Sequence, residues 1–62
     1  MDLFIICRKK GLAEISKEYK NKTKEEAKQL VIFYLANYEG YICTCKTREE
    51  AITVCKQLNG GF

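Results

Sequence analysis

Apolar residues are concentrated in short segments of the chain, and the spacing within each segment indicates one type of secondary structure. Residues 3–7 form an unbroken apolar run of β-branched, aromatic and thiol side chains. Such a run is typical of a central strand with two apolar faces. A similar segment, Tyr41–Cys45, follows Gly40, so we predict a second strand there.

The segment from Leu12 to Tyr19 fits two interpretations. Its alternation of Ala13, Ile15 and Tyr19 with polar residues suits a strand that forms a hairpin with residues 3–7 across the turn at residues 9–11. The spacing of Leu12, Ile15 and Tyr19, with Ala, Glu and Lys between them, also suits a helix. We predict the strand, and a helix over residues 12–19 is the alternative.

Two T-x-x-E motifs predict the starts of two helices. In each motif the threonine hydroxyl can accept from the amide three residues later, while the glutamate accepts from the threonine amide. The first motif, Thr23 to Glu26, begins a helix over about residues 24–38. The second, Thr47 to Glu50, begins a helix over Arg48–Leu58, and the following Asn-Gly-Gly is a typical helix end.

The first predicted helix has more apolar residues than one face can hold. Helical spacing places one stripe on a single side: Ala27, Leu30, Val31, Tyr34, Leu35 and Tyr38. Ile32, Phe33 and Ala36 lie off this stripe. We therefore expect a second apolar side of the helix, which another surface would have to bury.

These elements predict a single domain over residues 1–62, an α+β fold in ββαβα order, or βααβα if residues 12–19 are helical. We expect one three-stranded sheet with residues 3–7 in the middle and both helices on one face. The other face would then expose one set of side chains from the first strand, either Phe4 and Ile6 or Leu3, Ile5 and Cys7.

Composition argues against an enzyme. The 62 residues include no His, which is the commonest general base in enzymes. They also include no Gly-rich loop of the kind that binds nucleotide phosphates. We expect no cofactor and no metal. The four cysteines lack paired C-x2-C spacing, so we interpret them as reduced structural thiols, with a disulfide or an all-thiolate metal site as alternatives. No apolar run is long enough to span a membrane, and we expect a cytoplasmic protein.

Positive charge is concentrated in the first part of the chain. Residues 1–24 hold seven Lys and Arg against three acidic residues, a net +4, whereas residues 25–62 hold four against five. A basic turn and a basic connector could contact phosphates, with one aromatic ring to stack on a base. This alternative nucleic-acid site comprises Arg8, Lys9, Lys10, Lys17, Tyr19, Lys20, Lys22 and Lys24.

The surplus of apolar surface favours a non-enzymatic interaction protein. We expect it to bind a second copy as a homodimer, or a larger protein partner, through Ile32, Phe33, Ala36, Phe4 and Ile6. The tail, including Phe62, could instead cover these residues. Nine lysines against two arginines suggest an AT-rich genome, which suits a bacteriophage or mobile-element accessory protein that inhibits a host macromolecule.

Overall fold

A computed structural model describes residues 1–61 and shows the predicted small α+β fold in ββαβα order; Phe62 lies outside the described residues. The first strand is two residues longer than predicted and the first helix one residue shorter. The elements are β1 (Leu3–Lys9), β2 (Leu12–Tyr19), α1 (Lys24–Asn37), β3 (Tyr41–Cys45) and α2 (Arg48–Leu58).

Residues 12–19 form a strand, so the hairpin interpretation is confirmed. β2 pairs antiparallel with β1, from Leu3 opposite Tyr19 to Lys9 opposite Leu12. The two residues of the turn, Lys10 and Gly11, both have positive φ, 53° and 84°. A two-residue turn with this backbone matches the twist of the paired strands, and pairing along the whole strand overrides the helical propensity of its side chains.

The sheet has the order β2-β1-β3, and both outer strands are antiparallel to β1. β1 is therefore the central strand, as its two apolar faces predict. Gly40 places the start of β3 against β1, where its carbonyl oxygen accepts from the Arg8 amide at 2.7 Å. A Cβ at Gly40 would lie 2.5 Å from the Arg8 carbonyl oxygen, so only glycine permits this approach.

The helices lie on opposite faces of the sheet, so the prediction of two helices on one face is wrong. Alternate side chains of β1 point to opposite faces. Phe4 and Ile6 pack with Ala51 of α2, whereas Ile5 and Cys7 pack with Tyr34 of α1. Because each face of β1 is apolar, each needs its own cover, and one helix on each side satisfies both.

Both helices begin at the predicted threonines. The Thr23 hydroxyl accepts from the Glu26 amide at 3.1 Å, and the Glu26 carboxylate accepts from the Thr23 amide at 2.9 Å. The Thr47 hydroxyl likewise accepts from the Glu50 amide. Over residues 1–61, no helix combines the length and apolar character needed to cross a lipid bilayer.

Candidate protein-binding surface

The inner side of α1 is fixed to the sheet by a tyrosine cluster. The Tyr34 side chain is buried, and its hydroxyl lies 2.9 Å from the hydroxyl of Tyr19 on β2. Its ring packs on Tyr38 and Tyr41 with centroid distances of 4.5 and 6.0 Å. Burial is the main cause that raises the pKa of Tyr34 well above its usual range, and the hydrogen bond to Tyr19 raises it further. The neutral phenol therefore acts here as a structural group.

The outer side of α1 is apolar and open. Ile32, Phe33 and Leu35 are 53%, 50% and 67% exposed, and Ala36 beside them is also exposed. With 100° of rotation per residue, these four positions cover about 160° of the helix circumference opposite Tyr34. We call Ile32, Phe33, Leu35 and Ala36 the α1 patch.

The exposure of the α1 patch confirms the prediction that α1 has a second apolar side. The set of residues on that side differs from the predicted set. Leu35 and Tyr38 were predicted in the buried stripe, but 67% of Leu35 and 46% of Tyr38 is exposed. The sheet has only three strands, which span about 10 Å from one edge to the other. So narrow a sheet buries a narrow arc of the helix. The five-residue apolar run from Val31 to Leu35 was the signal that could have identified Leu35.

The area of the α1 patch is large for so small a chain. Its three large residues expose roughly 300–350 Å² in total, at the lower end of the range of the largest patch on a typical monomer. The whole chain exposes 4563 Å², whereas a monomeric protein of its mass exposes about 4100 Å².

The two β1 residues predicted to share this surface are not on it. Phe4 is 6% exposed and Ile6 is 0% exposed, because both are covered by α2. Their prediction as interface residues assumed a bare sheet face, and the helix on that face removes it. Their role is in the core.

The basic residues proposed for a nucleic-acid site form two separate groups. Arg8, Lys9 and Lys10 lie at the β1–β2 turn, whereas Lys20, Lys22 and Lys24 follow the far end of β2. An eight-residue strand between them spans about 23 Å. The Tyr19 ring lies 5.8 Å from the Lys17 ammonium and 5.7 Å from the Lys22 ammonium, and its hydroxyl binds Tyr34. The structure therefore does not bring these eight residues together around a ring that is open for stacking.

All four cysteines are free thiols. Cys43, Cys45 and Cys55 lie on the α2 side of the sheet, and Cys7 lies on the α1 side. Burial raises the pKa of the Cys45 thiol to about 11, and it also raises the pKa of Cys55. Among residues 1–61, no three Cys, Asp or Glu side chains come together as a possible metal site.

Comparison of the chain with protein-family models, with curated proteins and with solved structures gives no significant match.

Proposed function

We propose that this protein binds a partner protein through the α1 patch and acts by covering a surface of that partner. The observation that carries the proposal is the contiguous apolar outer side of a helix whose inner side is already packed. Exposed contiguous apolar surface of this size commonly marks an interaction site.

The α1 patch has the spacing of a helix that binds in a groove. Ile32, Leu35 and Ala36 stand at i, i+3 and i+4, the pattern by which an amphipathic helix inserts into an apolar groove. Phe33 lies beside them and supplies the aromatic anchor that dominates many such interfaces. Its ring packs edge-on against Tyr34 at 5.6 Å and Tyr38 at 6.0 Å, which orients it before any partner binds.

Polar residues at the beginning of α1 limit the patch to one end of the helix. Glu25, Lys28 and Gln29 precede Ile32 and are exposed. An apolar centre with a polar rim is the usual anatomy of a protein interface. Such binding would inhibit a partner by steric occupancy, which is how an accessory protein of a bacteriophage or mobile element would act on a host factor.

Affinity capture with matched variants tests the proposal. The bait is the full chain, and Phe33→Asp is compared with Ile52→Asp, which changes an exposed apolar residue on α2. We expect the native chain and Ile52→Asp to retain the same partner in stoichiometric amount, and Phe33→Asp to lose it. Circular dichroism shows whether each variant is folded. Equal capture by folded Phe33→Asp would contradict the proposal.

A further inference from the structure

A cavity of about 300 Å³ lies between one flank of α1 and the end of β3, at the lower end of the volumes of small-molecule sites. Lys24, Lys28 and Val31 stand at i, i+4 and i+7 in α1, so they share that flank. β3 contributes Thr44, and Lys46 directly follows its last residue. The cavity therefore brings together the beginning of α1 and a strand about twenty residues later in the sequence.

Half of the lining of this cavity is apolar. Leu3 of β1 and Ala27 of α1 are buried, and Val31 is half-buried. Met1 is held beside them, because the Lys22 amide donates to its carbonyl oxygen at 2.8 Å. All four apolar side chains line the cavity, so a hydrocarbon group that displaces water from it is favoured.

The charged residues of the lining are all positive. Lys24, Lys28 and Lys46 line the cavity, and no acidic residue does so within the described chain. Over residues 1–61 the one ion pair joins Arg48 to Glu18, so none of the three lysines has a carboxylate within ion-pair distance. An anion is therefore the complementary group, and the apolar side chains beside it strengthen its attraction to the ammonium groups.

We infer that this cavity binds a medium-chain fatty acid, with the carboxylate at the lysine ammonium groups and the hydrocarbon chain against the apolar lining. The cavity has about the volume of ten water molecules, which is room for a chain of about eight to ten carbons. None of its lining residues belongs to the α1 patch, so the inference goes beyond the proposed function.

Other anionic ligands fit the lining less well. A nucleic-acid strand would need an aromatic ring for its bases to stack on, and none of the described lining residues is aromatic. An acidic peptide would bring backbone amides that need hydrogen-bond partners. The uncharged polar side chain of the lining is Thr44, and its hydroxyl is already bonded to the Tyr41 hydroxyl at 2.6 Å. A fatty acid needs neither a ring nor these partners.

Titration of the pure, isotope-labelled chain with sodium octanoate at pH 7, followed by nuclear magnetic resonance, tests the inference without any partner protein. We expect saturable shifts of the Ala27, Val31 and Thr44 amides, with a Kd of roughly 1–10 mM for a ligand of this size. Ile15 and Ile52, which line a separate cavity between β2 and α2, should not shift.

Changes to the ligand separate the role of the charge from that of the chain. Acetate has the carboxylate without the chain, and octan-1-ol has the chain without the charge, so each should bind at least about tenfold more weakly than octanoate. Affinity should rise about tenfold from hexanoate to octanoate, because two more methylene groups leave water. It should rise little beyond decanoate, because the cavity is then full.

Changes to the lysines test the position of the carboxylate. Lys24→Gln, Lys28→Gln and Lys46→Gln should each weaken octanoate binding about two- to fivefold, the range for single exposed ion pairs. Lys9→Gln and Lys10→Gln are the matched controls, because they remove the same charge at the other end of β1 and should leave binding unchanged. All five lysines are exposed, and circular dichroism checks that each variant is folded.

Three results would overturn the inference. The first is the absence of saturable shifts, or shifts confined to the cavity between β2 and α2. The second is binding of acetate or octan-1-ol as tight as that of octanoate. The third is a loss of affinity that is equal for the Lys28 and Lys9 variants. Phe33→Asp should bind octanoate like the native chain, so failure of this inference and failure of the capture experiment are independent outcomes.

Discussion

Asn59 is the residue whose removal should weaken the attachment of α2 to β2 most specifically. It lies at the end of α2, 46 residues from Ala13 in β2. Its side-chain oxygen accepts from the Ala13 amide at 2.7 Å, and its side-chain nitrogen donates to the Ala13 carbonyl oxygen at 2.9 Å. Ala13 is buried, so water has little access to these backbone groups once the amide is absent.

The structure sets the expected magnitude for Asn59→Ala. A typical intramolecular hydrogen bond contributes about 1 kcal/mol, and buried groups left without partners cost more. Two such bonds therefore predict a loss of about 2 kcal/mol in the free energy of unfolding. A domain of 62 residues has a total stability of roughly 3–9 kcal/mol. The substitution should remove a large fraction of it.

Urea unfolding followed by far-ultraviolet circular dichroism measures this loss, and Asn59→Asp supplies the matched control. The ionised carboxylate still accepts from the Ala13 amide but repels the Ala13 carbonyl oxygen. The folded state therefore raises the pKa of the introduced carboxyl above its unfolded value of about 3.9. This variant should be at least as unstable as Asn59→Ala at pH 7, and it should regain stability as the pH falls and the carboxyl becomes a donor.

Two outcomes would refute the reasoning about Asn59. A loss below about 0.5 kcal/mol for Asn59→Ala would be within the range of ordinary surface substitutions, and would mean that the two hydrogen bonds do not hold α2 to β2. An Asn59→Asp variant with the same pH dependence as the native chain would mean that its carboxyl does not face the Ala13 carbonyl oxygen.

Three further predictions concern the strand entry, a helix cap and a buried thiol. Gly40→Ala should cost about 1–3 kcal/mol by urea unfolding, because its Cβ would meet the Arg8 carbonyl oxygen; an unchanged midpoint would contradict this. Thr23→Ala should cost about 1 kcal/mol. The Thr23 amide donates to the Glu26 carboxylate and lowers its pKa. The stabilisation from ionised Glu26 should therefore be present above the ordinary glutamate pKa and be lost as the pH falls through the lowered pKa. Glu26→Gln should remove this pH dependence in acid titrations. Because burial raises the pKa of Cys45 from 9.0 to about 11, unfolded chains lose this proton first and stability should fall between those pH values; Cys45→Ala should flatten that slope in alkaline denaturation.

Local signals predicted the order of the elements and the starts of both helices, whereas residues 12–19 fitted both a strand and a helix and β1 extends two residues beyond its predicted end. The Thr23 and Thr47 motifs begin helices because their hydrogen bonds lie within one turn of chain. The turn at Gly11 needs only the conformational freedom of glycine beside a residue that tolerates positive φ. The central position of β1 follows from an apolar run with two apolar faces. These features depend on interactions between residues that are close in sequence, so they can be predicted from the sequence alone.

The surfaces depended on tertiary structure. No local pattern predicts which face of the sheet a helix covers. In the folded chain α2 covers Phe4 and Ile6, whereas Leu35 of α1 remains exposed. The separation of the basic turn from Lys20 and Lys22 likewise follows from the length of β2. The two hydrogen bonds from Asn59 to Ala13 also join residues that are 46 positions apart in the chain. Burial and proximity are properties of residues distant in sequence, and only the packed chain decides them.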